Sequence, residues 1–82
     1  MKLSLIVTED CAACKRAETS LRKLINRYNG AAFEVININE YNGNSIAIVP
    51  ALLINEEIFS FGEIEENKLL KILSNSFKDK NE

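Results

Sequence analysis

Cys11 and Cys14 are the residues of this sequence best suited to chemistry. Two alanines separate them, and from Cys14 onward apolar residues recur every three or four positions, which predicts a helix that begins at this pair. Side chains three positions apart on a helix lie about 5–6 Å from each other. A disulfide bond needs a similar separation. The spacing therefore predicts a dithiol that can close and reopen with little backbone movement.

A redox role is the better interpretation of this pair. A disulfide here would close a ring of only about four residues and would therefore stabilise the fold little. Free amides at a helix N-terminus carry about half a positive charge, which favours the thiolate, the nucleophilic form of cysteine. Polar residues precede Cys11, whereas Cys14 belongs to the apolar stripe. We therefore expect Cys11 to be the exposed attacking residue and Cys14 the more buried resolving residue.

The charged neighbours of Cys11 act in opposite directions. Lys15 and Arg16 favour its thiolate, whereas Glu9 and Asp10 oppose it. Because a less stabilised thiolate favours the disulfide form, we expect the reduced pair to be an electron donor.

Three other interpretations of the two cysteines remain open. Half of a zinc site would need two more ligands, and these could come only from carboxylates or a second chain because histidine is absent. An iron–sulfur cluster shared by two chains meets the same shortage of ligands. The third interpretation is two inert structural thiols, since buried cysteine often packs as a small apolar side chain.

The composition of the 82 residues excludes several classes of function. Without histidine, the chain alone cannot build a Ser-His-Asp triad or a Cys-His dyad. A net charge of −2 argues against nucleic-acid binding, and no apolar run is long enough to cross a membrane. The apolar stretch before Glu9 is too short for an export signal, so we expect a cytoplasmic protein.

The apolar pattern also predicts the elements that position the cysteines. Strands are expected over residues 2–8, 32–39, 51–54 and 58–61, and helices over 11–28 and 63–77. A short or irregular helix is expected within 41–48. The order βαβαββα describes one α/β domain over residues 1–78, with a parallel β-α-β unit, a C-terminal hairpin and a frayed tail at 79–82.

Local signals refine the boundaries of these elements. Asp10 is expected to be the N-cap of the first helix, and Asn29-Gly30 to end it. Pro50, the only proline, stands at the start of a strand, where its missing N–H costs no ladder bond. Because X–Pro bonds are cis in only about 5–6% of cases, these residues alone predict a trans bond.

Taken together, these features resemble the thioredoxin superfamily, and above all its small thioredoxin-like and glutaredoxin-like members in prokaryotes. The resemblance spans about residues 2–77 and rests on four segments: Cys11-Ala12-Ala13-Cys14, Ile48-Val49-Pro50, the strand that follows, and Phe61-Gly62. It implies a minimal thioredoxin fold with a four-stranded mixed sheet flanked by helices.

The same resemblance implies roles for particular residues. Pro50 would be cis and packed beside the disulfide, and the backbone of Val49 would pair with a bound substrate segment. Gly62 would let the chain pass close to this surface. Cys11 would attack and Cys14 would resolve, with no cofactor beyond their disulfide.

The sequence departs from the family pattern at several positions: Asp10 replaces the aromatic residue that often precedes the first cysteine, and Ala12-Ala13 replaces a Gly-Pro or Pro-Tyr spacer. The first strand shows no buried Asp–Lys pair that could accept the proton of Cys14. The hairpin carries Asn55-Glu56 where relatives have Asn-Gly, and glutamate tolerates positive φ poorly, so we expect a looser turn.

Three functions follow from these observations. The first is a thiol–disulfide oxidoreductase that reduces protein disulfides and is re-reduced by an upstream reductase. The second is a glutaredoxin that uses glutathione; it ranks lower because Glu9 and Asp10 stand where a basic side chain would bind that anion. The third is a non-catalytic partner-binding or metal-carrying module. A monomer is expected, with no nucleic-acid or membrane partner.

Overall fold

Residues 1–28, 31–43, 46–62, 64 and 66–78 are described by the computed structural model, with side chains up to residue 75. Within them the chain forms four strands and two α-helices. The strands are β1 (Lys2–Val7), β2 (Ala32–Asn37), β3 (Ala51–Ile54) and β4 (Glu57–Phe61), and the helices are α1 (Ala12–Ile25) and α2 (Glu66–Lys78). A short 3₁₀ helix at Ile38–Glu40 follows β2.

The strands form one mixed sheet in the order β2-β1-β3-β4. β1 pairs in parallel with β2 and antiparallel with β3, and β3 forms an antiparallel hairpin with β4. Leu3, Leu5 and Ile6 of the central strand β1 are fully buried, as expected of a strand covered on both faces. The predicted α/β class, four-stranded mixed sheet and minimal thioredoxin-like fold are confirmed.

The two faces of the sheet are covered differently. One face carries the larger core, to which both helices contribute; its buried members are Leu3, Leu5, Ala17, Leu21, Leu24, Leu52, Leu69 and Leu73. The other face carries a smaller cluster of Ile6, Ala51 and Leu53, against which side chains of the segment between β2 and β3 pack. Both helices therefore lie on one side of the strands.

The segment that follows β2 differs from its prediction. β2 stops at Asn37 because the side-chain oxygen of Asn37 accepts a hydrogen bond from the amide of Asn39. This bond caps the start of the 3₁₀ helix. That helix ends at Glu40, and the capping residue Tyr41 has an extended backbone. The described residues of the predicted 41–48 helix, 41–43 and 46–48, are not helical. The half-buried side chains of Tyr41 and Ile46 pack instead against the smaller cluster.

The helices are also bounded differently from their predictions. α1 ends at Ile25 rather than at residue 28, because tight turns follow in which the amides of Arg27 and Tyr28 donate to carbonyls three residues back. The predicted Asn29-Gly30 cap and the predicted tail at 79–82 lie outside the described residues. α2 begins at Glu66, three residues later than expected. No helix in the described part of the chain is long and apolar enough to cross a membrane.

The turn between β3 and β4 is tighter than predicted. Ile54 pairs with Glu57, so only Asn55 and Glu56 form the turn, and both have positive φ, 51° and 73°. The expectation of a looser turn is wrong. Asn55 explains the difference, because its amide donates to the Lys2 carbonyl at 2.8 Å and its side-chain oxygen accepts from the Lys2 amide at 2.9 Å.

Candidate active site

Cys11 and Cys14 are joined by a disulfide at the start of α1. Their Cα atoms are 5.2 Å apart, within the range that a disulfide bond requires. The apolar stripe predicted from Cys14 onward is buried as far as Leu24 and packs against the sheet. The helix thus holds the pair at a defined position above the C-terminal end of β1.

The N-cap of α1 is Cys11 itself. Its backbone is extended (φ −116°, ψ 104°), and its Sγ accepts a hydrogen bond from the Cys14 amide at 3.0 Å. The prediction of Asp10 as N-cap is wrong, because Asp10 has a φ of 54° and lies one residue before the capping position. The sulfur of Cys11 therefore occupies the site of a capping oxygen, facing the free amides of the helix.

The two cysteines differ in their access to solvent. Cys14, in the first turn of α1, is only 3% exposed, whereas Cys11, at the N-cap, is half-buried. A partner that approaches this end of the helix therefore meets Cys11 first.

Pro50 lies at the same end of the sheet as the disulfide. Ala51 pairs with Ile6, so Pro50 stands next to the end of β1 from which the chain runs to Cys11. The Val49–Pro50 bond is cis, as the family resemblance implies and against the trans prediction from the residues alone. The side chain of Pro50 is fully buried. The backbone of Val49 has no hydrogen-bond partner among the described residues.

Gly62 is held beside Pro50. Phe61 is the last residue of β4 and pairs with Ala51, and the next amide, that of Gly62, donates to the Pro50 carbonyl at 2.7 Å. Gly62 has a φ of 74°, which glycine adopts at no steric cost. A Cβ added here would meet nothing within 4 Å, so backbone conformation rather than crowding favours glycine.

Both sulfur-bearing residues line an open groove of about 390 Å³. Its walls are formed by Val7, Thr8, Glu9, Asp10, Cys11, Cys14, Lys15 and Glu18. Sequence reasoning did not single out Glu18 as part of the site. The signal was its position four residues after Cys14, since such side chains meet on one helix face. Its carboxylate also accepts two hydrogen bonds from Arg22, at 2.8 and 3.0 Å.

Apolar side chains are exposed at this end of the sheet. Ile48, just before Val49–Pro50, is 57% exposed, and Phe61, at the end of β4, is 45% exposed. Both side chains are exposed enough to contact another molecule, as is Ile58, which is 37% exposed near the β3–β4 turn.

The titration behaviour of Glu34 belongs to another part of the molecule. A hydrogen bond from Ser4 Oγ at 2.9 Å lowers the pKa of Glu34, and Lys2, 3.2 Å away, adds to this effect. Ser4 and Glu34 are paired across β1 and β2, on the sheet face that carries no α-helix.

No group of three or more His, Cys, Asp or Glu side chains suited to a metal ion occurs in the described ranges.

Comparison with known proteins agrees with this geometry. A search of curated proteins finds no match. The family described as Thioredoxin domain matches residues 1–74, a stretch that contains both cysteines, the cis Val49–Pro50 bond and Gly62. The chain belongs to the thioredoxin domain family and is a small redox protein with a CxxC disulfide.

Proposed function

We propose that the protein is a thiol–disulfide oxidoreductase that reduces protein disulfides through Cys11 and Cys14. One observation carries the proposal: Cys11 borders an open groove at the N-terminus of α1, while Cys14 is buried directly behind it. A two-step exchange requires one accessible sulfur that attacks the substrate and a second sulfur beside it that resolves the mixed disulfide.

In the first step, the thiolate of reduced Cys11 attacks one sulfur of a substrate disulfide. A bond forms between Cys11 and that sulfur, the substrate S–S bond breaks, and the second substrate sulfur leaves as a thiolate that takes up a proton. The Cys14 amide, which donates to Cys11 Sγ in the disulfide form, stabilises the attacking anion.

In the second step, Cys14 loses its proton and attacks Cys11 Sγ. The Cys11–Cys14 disulfide forms and the remaining substrate sulfur leaves as a thiolate, so two electrons have passed from the protein to the substrate. The 5.2 Å between the two Cα atoms lets this ring close with little backbone movement. An upstream reductase then returns two electrons and two protons to the pair.

The surroundings of the disulfide support a polypeptide substrate. The backbone of Val49, which has no hydrogen-bond partner in the described ranges, can hydrogen-bond to an extended segment, as an added strand does. Pro50 and Gly62 keep this backbone in place through the bond between them. Exposed Ile48 and Phe61, at the same end of the sheet, offer apolar contact.

The direct test is reduction of insulin driven by dithiothreitol, followed as turbidity. The wild-type protein should accelerate it, and Cys11→Ser should lower the rate to that of dithiothreitol alone. Ala12→Ser is the matched control, because it adds a hydroxyl in the same turn and keeps both sulfurs. Full activity of Cys11→Ser, or loss of activity in Ala12→Ser with the fold intact, would contradict the proposal.

Two alternative functions are decided with the same preparation. Faster reduction of a small glutathione mixed disulfide than of insulin would make the protein a glutathione-dependent glutaredoxin. No catalysis, together with zinc or iron bound at about half an equivalent per chain, would favour a metal-carrying module shared by two chains. A monomeric state and a cytoplasmic location stay predictions.

A further inference from the structure

The groove beside the disulfide has an acidic rim. Its charged side chains are Glu9, Asp10 and Glu18 on one hand and Lys15 on the other. Three carboxylates against one ammonium group give the lining a formal charge of −2 at neutral pH. The protein as a whole also carries −2, but spread over 82 residues, so the groove is far more acidic than the average surface.

The three carboxylates are not equivalent. Glu18 is compensated from outside the groove by Arg22, whose guanidinium nitrogen lies 2.8 Å from the carboxylate. Glu9 and Asp10 are exposed, and neither forms an ion pair with another residue in the described part of the chain. These two carboxylates are therefore the ones available to an incoming molecule.

The backbone keeps Asp10 at the rim of the groove. Asp10 has a φ of 54°, a left-handed conformation that aspartate and asparagine tolerate better than other side chains. Since Cys11 is the N-cap, the Asp10 carboxylate is not used to cap α1. A carboxylate with no ion-pair partner among the described residues thus directly precedes the attacking cysteine.

We propose that Glu9 and Asp10 make this groove select disulfides flanked by lysine or arginine in peptides and proteins, and disfavour anionic disulfides such as oxidised glutathione. This inference rests on the proposed reductase function and adds its substrate class. A cationic side chain next to the substrate disulfide meets two carboxylates as the sulfurs come together, whereas the carboxylates of glutathione meet like charge.

The test compares two disulfide-bonded peptides that differ only in flanking lysines or glutamates, with oxidised glutathione as a third substrate. At low salt, the full chain should reduce the lysine peptide with a kcat/KM about 3- to 10-fold above that of the glutamate peptide, and glutathione should be slowest. Because the rim is exposed, the ratio should approach one at about 1 M salt.

Three variants assign this preference to the rim. Glu9→Gln with Asp10→Asn should lower the peptide ratio several-fold and raise the rate with glutathione; asparagine keeps the left-handed backbone. Lys15→Gln should raise the ratio. Glu57→Gln, at the opposite end of the sheet, removes one negative charge away from the groove and should leave the ratio unchanged.

The outcomes distinguish a failure of charge selection from a failure of the reductase function. Equal reduction of both peptides, or an equal shift of the ratio in Glu57→Gln, would overturn charge selection and leave the reductase function standing. No reduction of any substrate would overturn both the function and its specificity.

Discussion

At one end of the sheet, where β3 turns into β4, Asn55 and Glu56 have positive φ, and hydrogen bonds tie Asn55 to Lys2 at the start of β1. At the other end, Asp10 and Gly62 also have positive φ, one before Cys11 and one beside Pro50. We refer to these regions as the hairpin end and the disulfide end.

The same backbone conformation has different consequences at the two ends. At the hairpin end it closes a two-residue turn in which the amide and the side-chain oxygen of Asn55 are both hydrogen-bonded to Lys2. At the disulfide end the Val49 backbone has no hydrogen-bond partner among the described residues, and the groove there is lined by the two cysteines, whereas the groove of similar volume at the hairpin end contains no cysteine. Changes at the hairpin end should therefore alter stability and leave the chemistry intact, whereas changes at the disulfide end should alter the chemistry.

The largest effect is expected for Cys14→Ser at the disulfide end. Without the resolving sulfur, Cys11 should still attack once and then remain bound to the substrate, so multiple turnover should fall by at least about 100-fold. Mass spectrometry should detect one mixed disulfide per chain. Product release at the wild-type rate would show that Cys14 does not resolve the intermediate.

Asn55→Ala should weaken the hairpin end. It removes the acceptor of the Lys2 amide and puts alanine in a left-handed conformation, so the free energy of unfolding should fall by about 1–3 kcal/mol. Urea denaturation measures this loss. Asn55→Gly is the control that keeps the backbone and removes only the side-chain bond. The rate of substrate reduction in native buffer should not change; a parallel loss of rate would contradict the separation of the two ends.

Gly62→Ala should lower both stability and activity, because Gly62 lies at the disulfide end. Alanine at a φ of 74° should cost about 1 kcal/mol of stability, although the Cβ itself would be uncrowded. Because the Gly62 amide holds the Pro50 carbonyl, we also expect a several-fold loss of kcat/KM. Gly62→Asn should lose less stability and less kcat/KM than Gly62→Ala, since asparagine tolerates this backbone conformation. An unchanged kcat/KM in Gly62→Ala would remove Gly62 from the substrate surface.

Glu56→Gly should strengthen the hairpin end. Glycine relieves the cost of positive φ at the second turn position, so the free energy of unfolding should rise by about 0.5–1 kcal/mol. Thermal unfolding measures the gain, and the reduction rate should stay at the wild-type value. A loss of stability would mean that the 4.0 Å contact between Glu56 and Lys2 outweighs the backbone cost.

The smallest effect concerns Glu34 and acid. Its pKa is lowered in the folded protein, first by Ser4 and then by Lys2, so the ionised carboxyl stabilises the fold above its ordinary pKa of 4.5. This contribution should be lost as the pH falls from 4.5 through the lowered value. Urea titrations between about pH 7 and 3 should show the stability difference between wild type and Ser4→Ala narrowing toward acid. A constant difference would contradict the linkage.

The position of the sulfurs could be predicted because the sequence changes its apolar period at Cys11. The nearly continuous apolar run of β1 ends before Cys11, and the helical stripe that begins at Cys14 is buried as predicted. The cis state of Pro50 could not be predicted from local residues, since most X–Pro bonds are trans, and came only from the family resemblance.

Two other features depended on contacts distant in sequence or on a single backbone angle. Glu56 disfavours a tight turn, yet the bonds between Asn55 and Lys2, 53 residues apart in sequence, hold one. Asp10 has the side chain of a good N-cap, but its left-handed backbone leaves that position to Cys11. Local propensity is a weak guide where a single angle decides which residue caps a helix.

Alkylation of the reduced, native protein at pH 7 tests most directly whether Cys11 is the accessible sulfur and Cys14 the protected one. Mass spectrometry should show Cys11 modified at least about tenfold faster than Cys14, with the two rates converging once urea unfolds the chain. Equal rates in the native state, faster modification of Cys14, or no modification of either sulfur would contradict the account.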